Sequence, residues 1–274
     1  MSRPSLKRRE SLVKFIRRAS LACLDNAAAS LDRSGKPKVA AARQDLYRLR
    51  ALLGLFRGPL DTQTFVREHA AVGRILRKLN TLDKHADQPA IRTLSRLAAN
   101  KPQLSMPDAL LNPTGQAKPR PKRTRREPVR LRVMADLADL RMRASHWHLP
   151  AMDFDAIAPA LRRSHRLAAT GHAQGAWALR DQLRYLERLW PEAITAPRRV
   201  ATQIARDADR LATLKKLELT LAQCDGHDAL QKRLEEHITA IQAKIEKNAS
   251  LLRAETPAAF TRRLTGYWDA WRNG

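Results

Sequence analysis

Cysteine is nearly absent from this chain. Cys23 and Cys224 are the whole complement, far apart and without Cys-x-x-Cys or Cys/His spacing. Such spacing argues against a disulfide framework or a thiolate metal site, and both thiols are expected to be reduced. Aromatic residues make up only 5% of the chain, so platforms for stacking unpaired bases look scarce. No run of about 18 apolar residues is available to cross a bilayer. The basic N-terminus is interrupted by Lys14, Arg17 and Arg18, which leaves no apolar core for a signal peptide, and Glu10 argues against an organelle presequence. A cytoplasmic protein is expected.

Catalytic signatures are missing as well. There is no Gly-x-x-x-x-Gly-Lys loop, no Gly-x-Gly-x-x-Gly, no Gly-x-Ser-x-Gly and no His-Glu-x-x-His. His146-Trp-His148 puts two rings on different sides of a helix, with no carboxylate or thiol cluster nearby in sequence. No catalytic residue, metal site or cofactor is therefore expected.

Negative charge is the last deficit: 27 Asp and Glu stand against 52 Lys and Arg, a formal net charge of +25 over 274 residues. Self-repulsion of that size calls for an anionic partner. Hydrophobic residues still make up 43% of the chain, and Leu and Ala far outnumber β-branched residues, which favours packed helices over strands.

Six prolines between Lys101 and Arg130 rule out a continuous helical repeat there. This stretch, with its basic run from Lys118 to Arg126, reads as a linker that either is a self-repelling tether or contributes to ligand capture. Before it, helical patterns cover about Ser5 to Leu31, Lys36 to Arg57 and Asp61 to Asn100, the second carrying the apolar stripe Val39, Ala42, Leu46, Leu49, Leu53 and Phe56. After it, helices are expected at Leu131 to His148, Asp153 to Thr170, Gln174 to Leu189 and Pro197 to Cys224. A stripe of Leu230, Leu234, Ile238, Ile241 and Ile245 then runs towards Thr256-Pro257, and a final turn or two carries Phe260, Leu264 and Trp268. The expected architecture is all-α: a first bundle over 1–100, a linker over 101–130, and a second bundle with a helical tail over 131–274.

Charge placement sharpens the functional expectation. Arg43, Arg50 and Arg57 recur every seven residues, on one helix face with Tyr47 and beside the apolar stripe. Two readings stay open: the guanidiniums converge with neighbouring helices on a groove, or their stems cover the seam and their heads point to water. Arg162, Arg163 and Arg166 cluster on one helix, and Arg180 and Arg184 sit four apart on another. Without matching acidic i+4 partners, these form an extended basic surface. Guanidinium forks match phosphate oxygens bidentately, and counterion release favours a linear polyanion.

At these positions the chain resembles the CHAD family, the conserved histidine α-helical domain. Ala40-Ala-Ala-Arg43-Gln-Asp-Leu-Tyr47-Arg48-Leu-Arg50, leading to Leu55-Phe56, is similar to the family's first motif helix, with Arg43, Arg48 and Arg50 on its basic positions and Ala40 where a histidine stands. Arg77-Lys78-Leu79-Asn80 matches a later step but lacks its carboxylates. Trp147 with Arg162-Arg163-Ser-His165-Arg166 resembles the opening of the second half. Leu179-Arg180-Asp181-Gln-Leu-Arg184-Tyr185 is similar to its basic motif, with Gln174 in place of the second histidine. Asn248 to Trp268 resembles the closing helix and tail.

The resemblance implies two four-helix bundles and a non-enzymatic role in binding inorganic polyphosphate, on polyphosphate granules. With the charge placement above, it gives an expected binding set of Arg43, Arg48, Arg50, Arg57, Arg77, Arg162, Arg163, Arg166, Arg180 and Arg184. Sequence-independent association with nucleic acid or ribosomes is the alternative that net charge alone supports.

Overall fold

A computed structural model describes residues 5–32, 38–82, 123–223 and 228–273, with side chains taken from Pro128 onward in the third of these segments. Cys224 and residues 101–122 of the expected linker lie outside them. The described residues form nine α-helices, one 3-10 turn at Phe154–Ala156 and no strand, so the fold is all-α. The helices are α1 (Leu12–Asp32), α2 (Val39–Leu55), α3 (Thr62–Leu82), α4 (Arg123–Ser145), α5 (Ala158–Ala169), α6 (Ala173–Tyr185), α7 (Pro191–Leu221), α8 (Asp228–Arg253) and α9 (Pro257–Asn273).

Local chemistry sets the boundaries. The Asp61 carboxylate accepts from the Thr64 amide at 2.8 Å and caps α3. Gly171 closes α5 with φ of 75°. Its amide bonds the Ala168 carbonyl and the His172 amide bonds the Leu167 carbonyl, the paired closure that needs a left-handed residue after the helix. His172 then caps α6 by accepting from the Gly175 amide. A Cβ on Gly175 would sit 2.3 Å from the Leu167 Cβ, so α5 and α6 can approach this closely only at glycine.

The helices close into two rings. α1 packs on α2, α2 on α3, α3 on α4, and α4 returns to α1; α5 through α8 repeat the same circuit. α9 lies across α5, and α2 joins the rings by packing on α5 and α6.

Four expectations change here. The linker was expected to reach residue 130, but helix begins at Arg123 and accommodates Pro128, at the cost of one backbone hydrogen bond. That helix, α4, belongs to the first bundle rather than the second: Val133, Leu137, Leu140 and Ala144 share a core with Leu24, Leu46, Leu49 and Leu79. Likewise α7 starts at Pro191, whose ring suits a first helical position, and it runs through Pro197. The expected final turn or two is the 17-residue helix α9.

The two bundles are not separate apolar bodies. The first half of α1, through Leu12, Phe15, Ile16 and Ala19, enters the second core, as do Leu52, Leu55 and Phe56 at the end of α2. The second half of α1, through Leu24, Ala27 and Leu31, enters the first. Each such fully buried Leu, Ile or Phe side chain contributes about 1.5–3 kcal/mol.

Candidate anion-binding cleft

Where the bundles meet, α2 and α6 present matching faces. Asp45, Arg48, Leu52 and Leu55 are spaced to line one side of α2, and Asp181, Arg184, Tyr185 and Arg188 one side of α6 and the turn beyond it. Between them, Cys23 and Asn26 in the middle of α1, and Ser5 before it lies a cleft of about 310 Å3, lined also by Asp45, Arg48, Asp181, Arg184, Glu187 and Arg188. Each bundle thus brings an Asp-x-x-Arg step, 45/48 and 181/184, to the same place.

The two steps pair differently. Arg48 Nη1 reaches its own Asp45 at 2.6 Å. Asp181, only 2% exposed, is instead taken by the preceding Arg180, whose Nε and Nη2 donate to its two oxygens at 2.8 and 2.7 Å. The Arg180 guanidinium also lies 4.0 Å over the Trp177 ring, and the Trp177 indole donates to Asp209. Burial pushes the Asp181 carboxyl above its ordinary range, opposed by the hydrogen bond from Arg180 and the fields of Arg180 and Arg48. Glu187 is held by Arg198 at 2.6 Å. Every carboxylate at the cleft therefore has an arginine partner, whereas the Arg184 and Arg188 side chains have no ion-pair or hydrogen-bond partner among the described residues. The five arginines of this network outnumber its four carboxylates, Asp209 included, and that excess can take an anion.

The floor is rigid. The Tyr185 hydroxyl donates to the Arg48 carbonyl at 3.3 Å and lies 3.6 Å from the Cys23 sulfur. Burial raises both groups, Cys23 to about 12, so the thiol stays protonated and is no nucleophile at neutral pH. Arg48 Nε and Gln182 Oε1 are buried without a hydrogen-bond partner among the described residues.

The ten arginines expected from the sequence do not converge on one groove. Arg48 and Arg184 line the cleft, with Arg180 at its edge and committed to Asp181 and Trp177. Arg43 and Arg50 lie on α2 and Arg57 just beyond its end, and the last two turn to α3. There Arg50 Nε donates to His69 Nε2 at 3.0 Å and the Arg57 guanidinium lies 5.5 Å from the Phe65 centroid. Burial first, then the fields of Arg50 and Arg57, holds His69 below the ordinary histidine value. Arg77 is exposed further along α3. On α5, Arg162 donates to the Thr261 hydroxyl of α9 at 3.4 Å, while Arg163 and Arg166 carry no partner among the described residues.

Arg188 and the acidic partners Asp45 and Asp181 escape a search for basic clusters alone. The signal that finds the two carboxylates is the repeated Asp-x-x-Arg spacing, and Arg188 follows four residues after Arg184. Among the described residues no group of three or more His, Cys, Asp or Glu side chains could hold a metal ion, and no helix is long and apolar enough to cross a membrane.

Fold and cleft together define an all-helical double bundle with an arginine-rich junction between its halves. No family model, curated protein or solved structure matches the chain.

Proposed function

We propose that this protein binds inorganic polyphosphate, without cleaving it, in the cleft between its two bundles. The observation that carries this reading is the placement of Arg184 and Arg188, free of carboxylates, beside Arg48 from the other bundle. A guanidinium without a partner gains most from a phosphate, because the fork meets two oxygens at once. A linear chain of phosphates extends this gain to the flanking basic faces and releases condensed counterions as it binds. The net charge of +25 and the resemblance to the CHAD family support the same ligand. Arg43 and Arg50 lie on a different face of α2 from Arg48, and Arg57 follows the helix, so a chain that wraps over α2 meets them. The place of action that goes with this ligand is the cytoplasm, on polyphosphate granules.

The test is polyphosphate affinity as a function of salt for the wild type, Arg184→Ala/Arg188→Ala and Arg50→Ala/Arg57→Ala. The cleft variant should lose about 10- to 100-fold at near-physiological salt, and its slope of log affinity against log salt should fall by about two. The α3-face variant measures how far the chain wraps. Absence of wild-type binding, or an unchanged cleft variant, sinks the proposal. Displacement of polyphosphate by a short duplex at equal phosphate concentration would transfer the reading to nucleic acid.

A further inference from the structure

The turn that carries Arg188 ends in Trp190. Its carbonyl accepts from the Ile194 amide at 3.1 Å, and its neighbour Leu189 is buried in the core, so the backbone here is fixed. The indole stacks on Tyr267 of α9 with centroids 5.2 Å apart and planes 16° from parallel. Tyr267 in turn lies under the Arg263 guanidinium, 5.7 Å from its centroid, and Glu255 holds that guanidinium at 2.9 and 2.6 Å. The result is a built ladder of carboxylate, guanidinium, phenol and indole.

The last rung differs from the other tryptophans of the core. Trp147 and Trp268 are 4% and 2% exposed, whereas Trp190 leaves 46% of its surface in water although Tyr267 covers one face. A rigid indole with one face supported and the other wet is the geometry that stacks a planar ring. Two residues earlier, Arg188 lines the cationic cleft. A ligand that satisfies both features carries an aromatic ring and phosphate together.

We infer that Trp190 is a stacking platform for a nucleobase whose phosphates are taken by Arg184 and Arg188. This goes beyond polyphosphate binding, which needs no ring, and it can fail while that reading stands. The base comes from either a free nucleotide or a single strand, since both present the same chemistry.

The experiment compares the affinities of a short oligodeoxyadenylate and an abasic strand of equal length and charge, and separately of adenosine triphosphate and inorganic tripolyphosphate. At least one base-bearing ligand should bind about tenfold more tightly than its base-free counterpart. A preference in the mononucleotide pair identifies a nucleotide site; one confined to strands identifies single-stranded nucleic acid. Trp190→Ala should abolish the preference and leave base-free affinity unchanged, which also reports that the variant is folded. Trp190→Phe should keep most of the preference and decides the matter if the alanine variant does not fold. Equal affinities in both pairs for the wild type, or a preference that survives loss of the indole, would overturn the inference.

Discussion

α4 and α8 occupy the same position in their bundles, each closing a four-helix ring with an apolar inner face, to which α4 adds charge pairs on both neighbours. α8 is joined in sequence to its neighbours and closes with an apolar stripe, Leu230, Leu234, Ile238, Ile241 and Ile245. α4 begins 41 positions after α3 ends, and charge pairs fasten it to both neighbours. Arg143 holds the fully buried Glu68 of α3 with three contacts of 3.0 to 3.1 Å, Lys78 of α3 holds Asp136, and Arg141 holds Asp25 of α1. An apolar stripe can slide by a turn at small cost, whereas a buried carboxylate accepts one register only. Directional pairs thus fix the helix that stands farthest in sequence from the neighbour it packs on.

The largest effect should come from breaking the apolar closure. Leu234 is fully buried, and Leu234→Ala should cost about 3–4 kcal/mol in a urea titration, with little dependence on salt. Arg143→Met should cost about 2–3 kcal/mol, below the usual loss for a broken buried pair because Arg67 still reaches Glu68 at 2.8 Å. Adding Glu68→Leu should recover much of that loss, since the stranded carboxylate is gone. If the second substitution recovers nothing, the pair is not what seats α4, and the contrast between the bundles fails.

The smallest effect is a response to pH at the α5–α9 contact. His165 is 1% exposed and stacked 4.5 Å from Phe260; burial is the main cause that lowers its pKa. A histidine lowered on folding binds fewer protons in the native than in the unfolded state, so stability falls as pH drops through the ordinary histidine value of about 6.5. Between about pH 7.5 and 5.5 the wild type should lose more stability than His165→Leu, by about 1 kcal/mol or less. Parallel curves for the two would show that the ring does not titrate there.

Much of this architecture is legible in the sequence, because three- and four-residue apolar steps state a helix and its inner face directly. The stripes of α2 and α8 lie buried where their spacing puts them. Which bundle a helix joins is not stated by its own stripe. α4 has an inner face that would suit either core, and its partners Asp25, Glu68 and Lys78 are read from residues far upstream. Prolines mislead in the same way: Pro197 looks like a helix start until Pro191 is seen to serve as one. At the cleft, Arg48 and Arg184 are legible as cations beside a packed seam. The heptad spacing of Arg43, Arg50 and Arg57 suggests a single face, but α2 ends before Arg57, and only tertiary packing decides that Arg50 and Arg57 turn to α3. Trp190 is invisible to an aromatic count, because stacking depends on one exposed ring rather than on many.

The division of α1 between the two cores has a mechanical consequence. One continuous helix serves as a shared stave, its first half seated among α5–α9 residues and its second among α2–α4 residues. Hinging the bundles apart would pull one end of that stave out of its core and expose Leu12, Phe15 and Ile16 to water. The gap between Arg48 and Arg184 is therefore set when the chain folds, so a ligand meets backbones already at their final spacing, and tightening is left to the side chains alone.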